Sequence, residues 1–286
     1  MKAKHFFTVL AVTATTWVCS AQINLGERAL GALQKGVAGF TFSNEQAAAL
    51  AKEGVRKLDS ANVVACPNDG YTLRLNRVFG KHANENGLQL NYKVYLTKEV
   101  NAFACADGSV RVYSGLMDIM DDNQLLAVIG HEIGHVVNED SKDAMRAALK
   151  KSAVLDALAS QSDKIGKVTD GEAGQIASVL LDSKHSRSQE NDADTFAYEF
   201  MKKHGYDVNA VESAFLILAK LSEGGQSDFI SRMLSSHPDP TARAQKARER
   251  AIADKRYKAY VQKPINNKAP VVKKPTTKRP TKKRRR

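Results

Sequence analysis

The chain has 286 residues, 43% of them hydrophobic and 26% charged, which suits one large domain with a real core and excludes a wholly disordered protein. Its formal net charge is +12, but eleven of the basic residues and no acid lie between Lys263 and Arg286. Without that stretch the balance is about +1, so the basic character belongs to one end, and nucleic-acid binding by the main domain loses its electrostatic footing.

The first residues read as a secretory signal. Lys2 and Lys4 give a positive start, Phe6 to Val18 carries no charge, and Cys19 and Ala21 stand three and one residues before a cut between Ala21 and Gln22. The run is too short for a comfortable membrane span, which takes about 20 apolar residues. A rival cut would leave Cys19 as a lipidated N-terminus, although Thr16-Trp17-Val18 departs from the Leu-Ala-Gly usual before such a cysteine. The expected compartment is therefore the periplasm or the exterior, with a lipid-anchored outer-membrane form as the alternative. Export removes Cys19 and leaves Cys66 and Cys105, a disulfide candidate in an oxidising compartment; two unpaired buried thiols are the other option.

Ser43-Asn44-Glu45-Gln46 has the pattern of a capping box and opens a helix to about Leu58. A second amphipathic helix is expected from Tyr71 to about Asn84, with Gly87 ending the helical pattern. Leu88, Leu90, Tyr92, Val94 and Leu96 alternate with polar residues, which predicts a strand. Asn101–Cys105 and Val110–Tyr113 read as two short strands about an Asp107-Gly108 turn. From Asp121 to about Tyr260 the pattern is mostly helical. The fold class is α+β, a helical body with a small sheet near residues 88–113.

His131-Glu132-Ile133-Gly134-His135 carries the chemistry. The helix around it is apolar on almost every side and is therefore buried. Positions i and i+4 lie on one face about 6 Å apart, so two imidazoles there can share one metal ion. Glu132 stands about 100° round the helix, beside the open side of such an ion, where a carboxylate can take a proton from a metal-activated water. With 7 His and 13 Glu in the chain, chance would produce this motif in roughly 0.8% of such sequences, so a coincidence is a poor account of it. Gly130 and Gly134, each costing about 1 kcal/mol in a helix, call for close approach of another backbone or of the metal site.

A catalytic zinc needs a third protein ligand and an open position. His185, Glu190, Asp194, His204 and His237 are the candidates. Glu190 and Asp194 have the best context, i and i+4 on a helix that runs to about Lys203. There Glu190 can reach the metal and Asp194 can accept a bond from a ligand imidazole. An acidic first turn answering the helix dipole is the plain alternative.

Four segments in order give the chain a resemblance to the HtpX-like and BepA-like zinc metallopeptidases, relatives of the CAAX prenyl proteases. They are Asn101-Ala102-Phe103-Ala104 with Gly108, Gly130 to His135, Glu190-Asn191-Asp192-Ala193-Asp194, and Ser236-His237-Pro238-Asp239-Pro240 through Arg243. The resemblance implies one zinc per subunit held by His131, His135 and Glu190, with Glu132 as general base and Asp194 behind the ligands. It implies that Asn101 to Ala104 pair with an extended substrate by strand addition, a mode that reads backbone and suits unfolded or misfolded proteins. The roughly 55 residues between His135 and Glu190 would hold the family's helical insertion, filled here by Lys142–Leu158 and Gly171–Leu181. One departure is Cys105-Ala106-Asp107 after the strand, where the family often has a Pro-Gly turn; a Cys66–Cys105 bond would pin that strand.

His237, on a loop between Ser236 and Pro238, has three readings: an oxyanion stabiliser, a fourth zinc ligand of a closed state, or a turn histidine. His82, His185 and His204 read as surface residues. The expected organisation is a signal peptide over 1–21, a metallopeptidase domain over 22–262 and a basic Lys/Pro-rich tail over 263–286. That tail is suited to an anionic membrane or cell-wall surface rather than to nucleic acid. The expected function is a zinc metalloendopeptidase acting in protein quality control. The competing expectation is a periplasmic chaperone or assembly factor with a latent or structural metal site.

Overall fold

The computed structural model describes residues 42–151, 170–223 and 227–268. The signal segment, Cys19, the end of the first insertion helix and the tail from residue 269 lie outside the described residues. Helix α1 (Asn44–Ala61) starts at a true capping box, with the Gln46 N–H donating to Ser43 Oγ and the Ser43 N–H donating to Gln46 Oε1. It buries Ala47, Leu50, Ala51, Val55 and Leu58 on one face. Helix α2 (Gly70–Phe79), capped by Asp69, gives way to a 3-10 turn at Gly80–His82.

Strands β1 (Asn84–Glu85) and β2 (Leu88–Gln89) form a hairpin about Asn86 and Gly87, both at positive φ (48° and 80°). Two such residues in succession match the twist of a tight hairpin. The expected single strand over 88–96 therefore splits: β2 belongs to the hairpin, and β3 (Asn91–Tyr95) joins the main sheet. In that sheet β5 (Ser109–Tyr113) is central, parallel to β3 on one side and antiparallel to β4 (Ala102–Ala104) on the other. Every residue of β5 is buried. Gly108 makes the β4–β5 turn at φ 82°, and a side chain there would meet the Gln89 carbonyl oxygen at 2.0 Å, so no other residue fits. The outer edge of β4 pairs with no strand among the described residues.

Helices follow: α3 (Ser114–Ile119), α4 (Asp122–Val137), α5 (Asp140–Lys151), α6 (Asp170–Asp182), α7 (Arg187–Lys203), α8 (Asn209–Glu223), α9 (Ser227–Ser236) and α10 (Pro240–Ala253). Helix α4 is central, and every residue from Gln124 to Val136 is buried. Each fully buried Leu, Ile or Val contributes on the order of 2 kcal/mol. Leu125, Leu126, Val128, Ile129 and Ile133 together thus offset the two helical glycines at about 1 kcal/mol each. Those glycines admit α7. A Cβ at Gly134 would lie 3.0 Å from Ala193 Cα, and one at Gly130 3.2 Å from the Phe200 ring and 3.6 Å from Ala197 Cα.

After α10 the chain runs extended across the start of α4. The Tyr260 hydroxyl and the Lys263 N–H both donate to the Asp121 carboxylate that caps α4, and Asn267 bonds Arg74. Helix therefore ends at Ala253, earlier than expected, and the boundary drawn at Lys263 falls inside this strap. Two further expectations are corrected. Cys66 is exposed, Cys105 is buried among the apolar side chains around α1, and both are free thiols, so the Cys66–Cys105 bond is not formed. His82 is buried rather than superficial, because it faces Phe79 and Phe200.

Candidate metal centre

Four buried side chains converge where α4, α7 and the α9–α10 loop meet: His131, His135, Glu190 and His237. The α4 histidines come from adjacent turns of one face, and their Nε2 atoms stand 3.0 Å apart. Each is held from behind by a carboxylate. Asp194 Oδ1 lies 2.9 Å from His131 Nδ1, and Asp140 Oδ2 lies 2.8 Å from His135 Nδ1. Asp140 arrives there because α4 ends at Asn138 and Glu139 adopts φ 63°, which turns α5 back across the site.

Glu190 enters from the first turn of α7, itself started by a Ser186–Gln189 capping box. Its Oε1 lies 3.3 Å from His135 Nε2 and 3.0 Å from His237 Nδ1, and its Oε2 lies 3.6 Å from His131 Nε2. The separations between 3.0 and 3.6 Å fit donors about 2.0–2.1 Å from one tetrahedral ion, which stand roughly 3.3 Å apart. Glu132 Oε1 is buried without a hydrogen bond, and Glu190 Oε2 faces His131 and the Arg243 guanidinium. A buried carboxylate oxygen left unbonded beside three imidazoles and a second carboxylate fits a cation.

His237 is fixed by its N–H bond to the Met233 carbonyl and by the αL residue Asp239, which caps α10 ahead of Pro240. Its Nε2 lies 3.6 Å from Glu132 Oε1, so the ring bridges Glu132 and Glu190. Arg243, one turn into α10, is the residue sequence reasoning passed over. Its guanidinium makes two bonds to Asp194, sits 2.6 Å from Glu190 Oε2 and covers the Phe215 ring at 4.1 Å. The signal was its place at the end of the His-Pro segment. His185 was also misjudged as superficial: its ring stacks on His135 at 3.8 Å. Nothing in the sequence marks Asp140.

Burial sets the local acid–base state. It lowers His131 well below the usual imidazole range, helped by Arg243 and His135, and raises the Glu132 carboxyl. Burial also opposes a charge on His135, but Asp140 and Glu190 override it and lift that imidazole to about 9. Glu190 is held far below the carboxylate range by His135 and His237 in spite of its burial.

Asn101 is buried, with Oδ1 accepting from the Ala102 N–H. Asn101 to Ala104 line the same cleft as Glu132, His135 and His237. Cys105 N–H bonds Ser109 O and Tyr113 N–H bonds Asn101 O, so the residues at 101, 103 and 105 face β5. By alternation the backbone groups of Ala102 and Ala104 point to the open edge.

Residues 71–251 match the peptidase family M48. Over 255 residues the chain is 36% identical to the metalloprotease LoiP of Escherichia coli K12, covering 89% of this chain and 99% of that protein. It is 39% identical over 216 residues to the metalloprotease YcaL of the same organism, covering 75% and 84%. The beta-barrel assembly-enhancing protease of E. coli K12 is 28% identical over 183 residues, 59% of this chain and 36% of its own length.

Proposed function

The chain belongs to peptidase family M48 and is a peptide hydrolase, and we propose that it is a zinc metalloendopeptidase acting on unfolded or damaged proteins of the cell envelope. The convergence of His131, His135 and Glu190, with Glu132 directly beside them, carries this reading. Zinc held by those three residues supplies Lewis acidity toward a peptide carbonyl and toward water. The chain's own groups do the rest. Glu132 accepts the attacking water's proton at Oε1 and returns it to the leaving amine, and its burial-raised affinity for a proton suits both halves of that task. Asp194 and Asp140 hold the two imidazoles with Nε2 facing inward. His237, between Glu132 and Glu190, is placed to donate to the developing oxyanion, and the same ring would be the fourth residue to hold zinc in a resting state.

The open edge of β4 beside Glu132 supports strand addition by an extended substrate through the Ala102 carbonyl and the backbone of Ala104, the Ala102 N–H being taken by Asn101. Export rests on the sequence of residues 1–21, and no described helix is long and apolar enough to cross a membrane. The similarity to the beta-barrel assembly-enhancing protease of E. coli supports an envelope role. The Lys/Pro-rich tail would hold the enzyme near anionic lipid or cell-wall polymer. A chaperone with a structural metal is the weaker reading, since a closed four-ligand site gives Glu132 no task.

The test compares the wild type with Glu132→Gln for zinc content and for cleavage of casein. Casein cut only by the wild type, with zinc retained by both, is the expected result. Retained cleavage by the variant would remove Glu132 from the mechanism, and absence of zinc from both would remove the metal centre.

A further inference from the structure

We propose that His82, Glu85 and His204 form a second site for a divalent transition metal, with zinc favoured by the donor set. The three residues come from three segments: the 3-10 turn, strand β1 and the C-cap of α7. Each offers one ligand atom, and these atoms lie within 4.8 Å of one another. The site sits at the opposite end of α7 from Glu190. Fourteen residues at 1.5 Å per residue put it about 20 Å from the first centre.

The two spacings from Glu85 are those of ligands around one ion. Glu85 Oε2 stands 3.2 Å from His204 Nε2 and 3.5 Å from His82 Nδ1. Donors 2.0–2.1 Å from a tetrahedral zinc are separated by about 3.3 Å. His204 Nε2 is buried and, although 3.2 Å from that oxygen, is not aligned for a hydrogen bond. The two atoms are thus close without bonding each other, and both remain available to a shared cation.

The surrounding groups orient the donors. The Tyr206 hydroxyl lies 2.7 Å from His82 Nε2, so the outer nitrogen is occupied and Nδ1 is turned inward. Phe79 and Phe200 meet the His82 ring edge-on at 5.7 and 5.0 Å and fix its orientation. Lys203 bonds Glu85 Oε1 at 2.6 Å and leaves Oε2 free. The Lys203 side chain is 61% exposed and can swing into solvent as a dication enters. The His204 side chain is 24% exposed, which provides an entry path and room for water as the fourth ligand. Gly205, at φ 71°, ends α7 and sets His204 at this position. A bound ion would clip the β1–β2 hairpin to the end of the helix that carries Glu190.

The competing account is a buried carboxylate paired with Lys203 and a protonated His204. The experiment separates the two on the full mature chain, by zinc stoichiometry after gel filtration and by thermal melting with and without zinc. Wild type should bind two zinc ions per chain. His131→Ala/His135→Ala should bind one, and zinc should raise its melting temperature by several degrees, whether or not the first centre is catalytic. His82→Ala/His204→Ala should bind one and still cleave casein. Glu85→Gln, which keeps shape and volume, should also bind one, and it replaces the double variant if that one fails to fold. Lys203→Gln should tighten the second zinc. One zinc in the wild type at a tenfold excess of metal would overturn the proposal. So would a His131→Ala/His135→Ala protein with no zinc and an unmoved melting temperature, or a Glu85→Gln protein that keeps both ions.

Discussion

Arg243 of α10 grips the Asp194 carboxylate of α7 from two sides, with Nη2 2.7 Å from Oδ1 and Nε 3.0 Å from Oδ2, while Asp194 Oδ1 lies 2.9 Å from His131 Nδ1. The orientation of a candidate ligand on α4 thus depends on a cation two helices away. Arg243→Lys keeps the charge but loses the planar fork. Zinc affinity, read by chelator competition, should fall by roughly 10- to 100-fold, in line with changes behind first ligands. An unchanged affinity would make Arg243 a substrate-side group only.

The open edge of β4 makes a backbone prediction. Ala104 turns its N–H away from β5, so proline there removes a donor from the edge and spares the sheet's own ladder. Ala104→Pro should lower kcat/KM for casein by about tenfold or more, the loss of one or two hydrogen bonds in the bound strand. Zinc content should not change. Full activity would argue against strand addition at this edge.

Gly134 tests the packing of the two helices that build the centre. Alanine is the better helix former by about 1 kcal/mol. Yet its methyl group would press on Ala193 Cα at 3.0 Å and Ala193 O at 3.1 Å, backbone atoms with little freedom to retreat. Overpacking of about 1–3 kcal/mol should win, lowering the melting temperature by several degrees. Gly130→Ala meets a ring edge first and should cost less. Melting curves of the two variants give the comparison.

Asp59 makes the acid limb of stability predictable. Burial opposes its ionisation, but bonds from Arg111, Lys93 and Tyr95 prevail and bring the carboxyl to about 2, against 3.8 for a free side chain. The unfolded chain therefore takes up this proton first as pH falls. The contribution is whole above about pH 4 and is lost on descent to about pH 2. It amounts to about 2 kcal/mol. Asp59→Asn should be destabilised at neutral pH and should show a flatter stability profile across that window. Denaturant melts at a series of pH values would reveal a parallel profile if the pairing contributes nothing.

Much of the architecture was legible in one chain. The Ser43–Gln46 capping box and the apolar run around His131 are local signals that appear as helices, while the alternation from Leu88 to Leu96 appears as two strands, β2 and β3, rather than one. The Asn86-Gly87 hairpin was passed over, although that dipeptide is itself a turn signal. The thiols behaved otherwise than expected, because two cysteines in a sequence say nothing of the distance between them, and Cys105 ended in a core that Cys66 does not reach.

The order of motifs along the chain set the candidate donor types, the i, i+4 histidine pair and the proposed general base, since a single helix sets those relations by its own period. Only the tertiary structure decided which distant groups stand behind them. Asp140 is brought back by the reversal at Glu139, Arg243 is inserted by α10, and His185 is laid on His135. His82, read as superficial, was buried and joined to Glu85 and His204. Such partners lie anywhere from three to over a hundred residues apart and carry no period. Their meeting is set by how helices pack, through the close contact that Gly130 and Gly134 allow between α4 and α7.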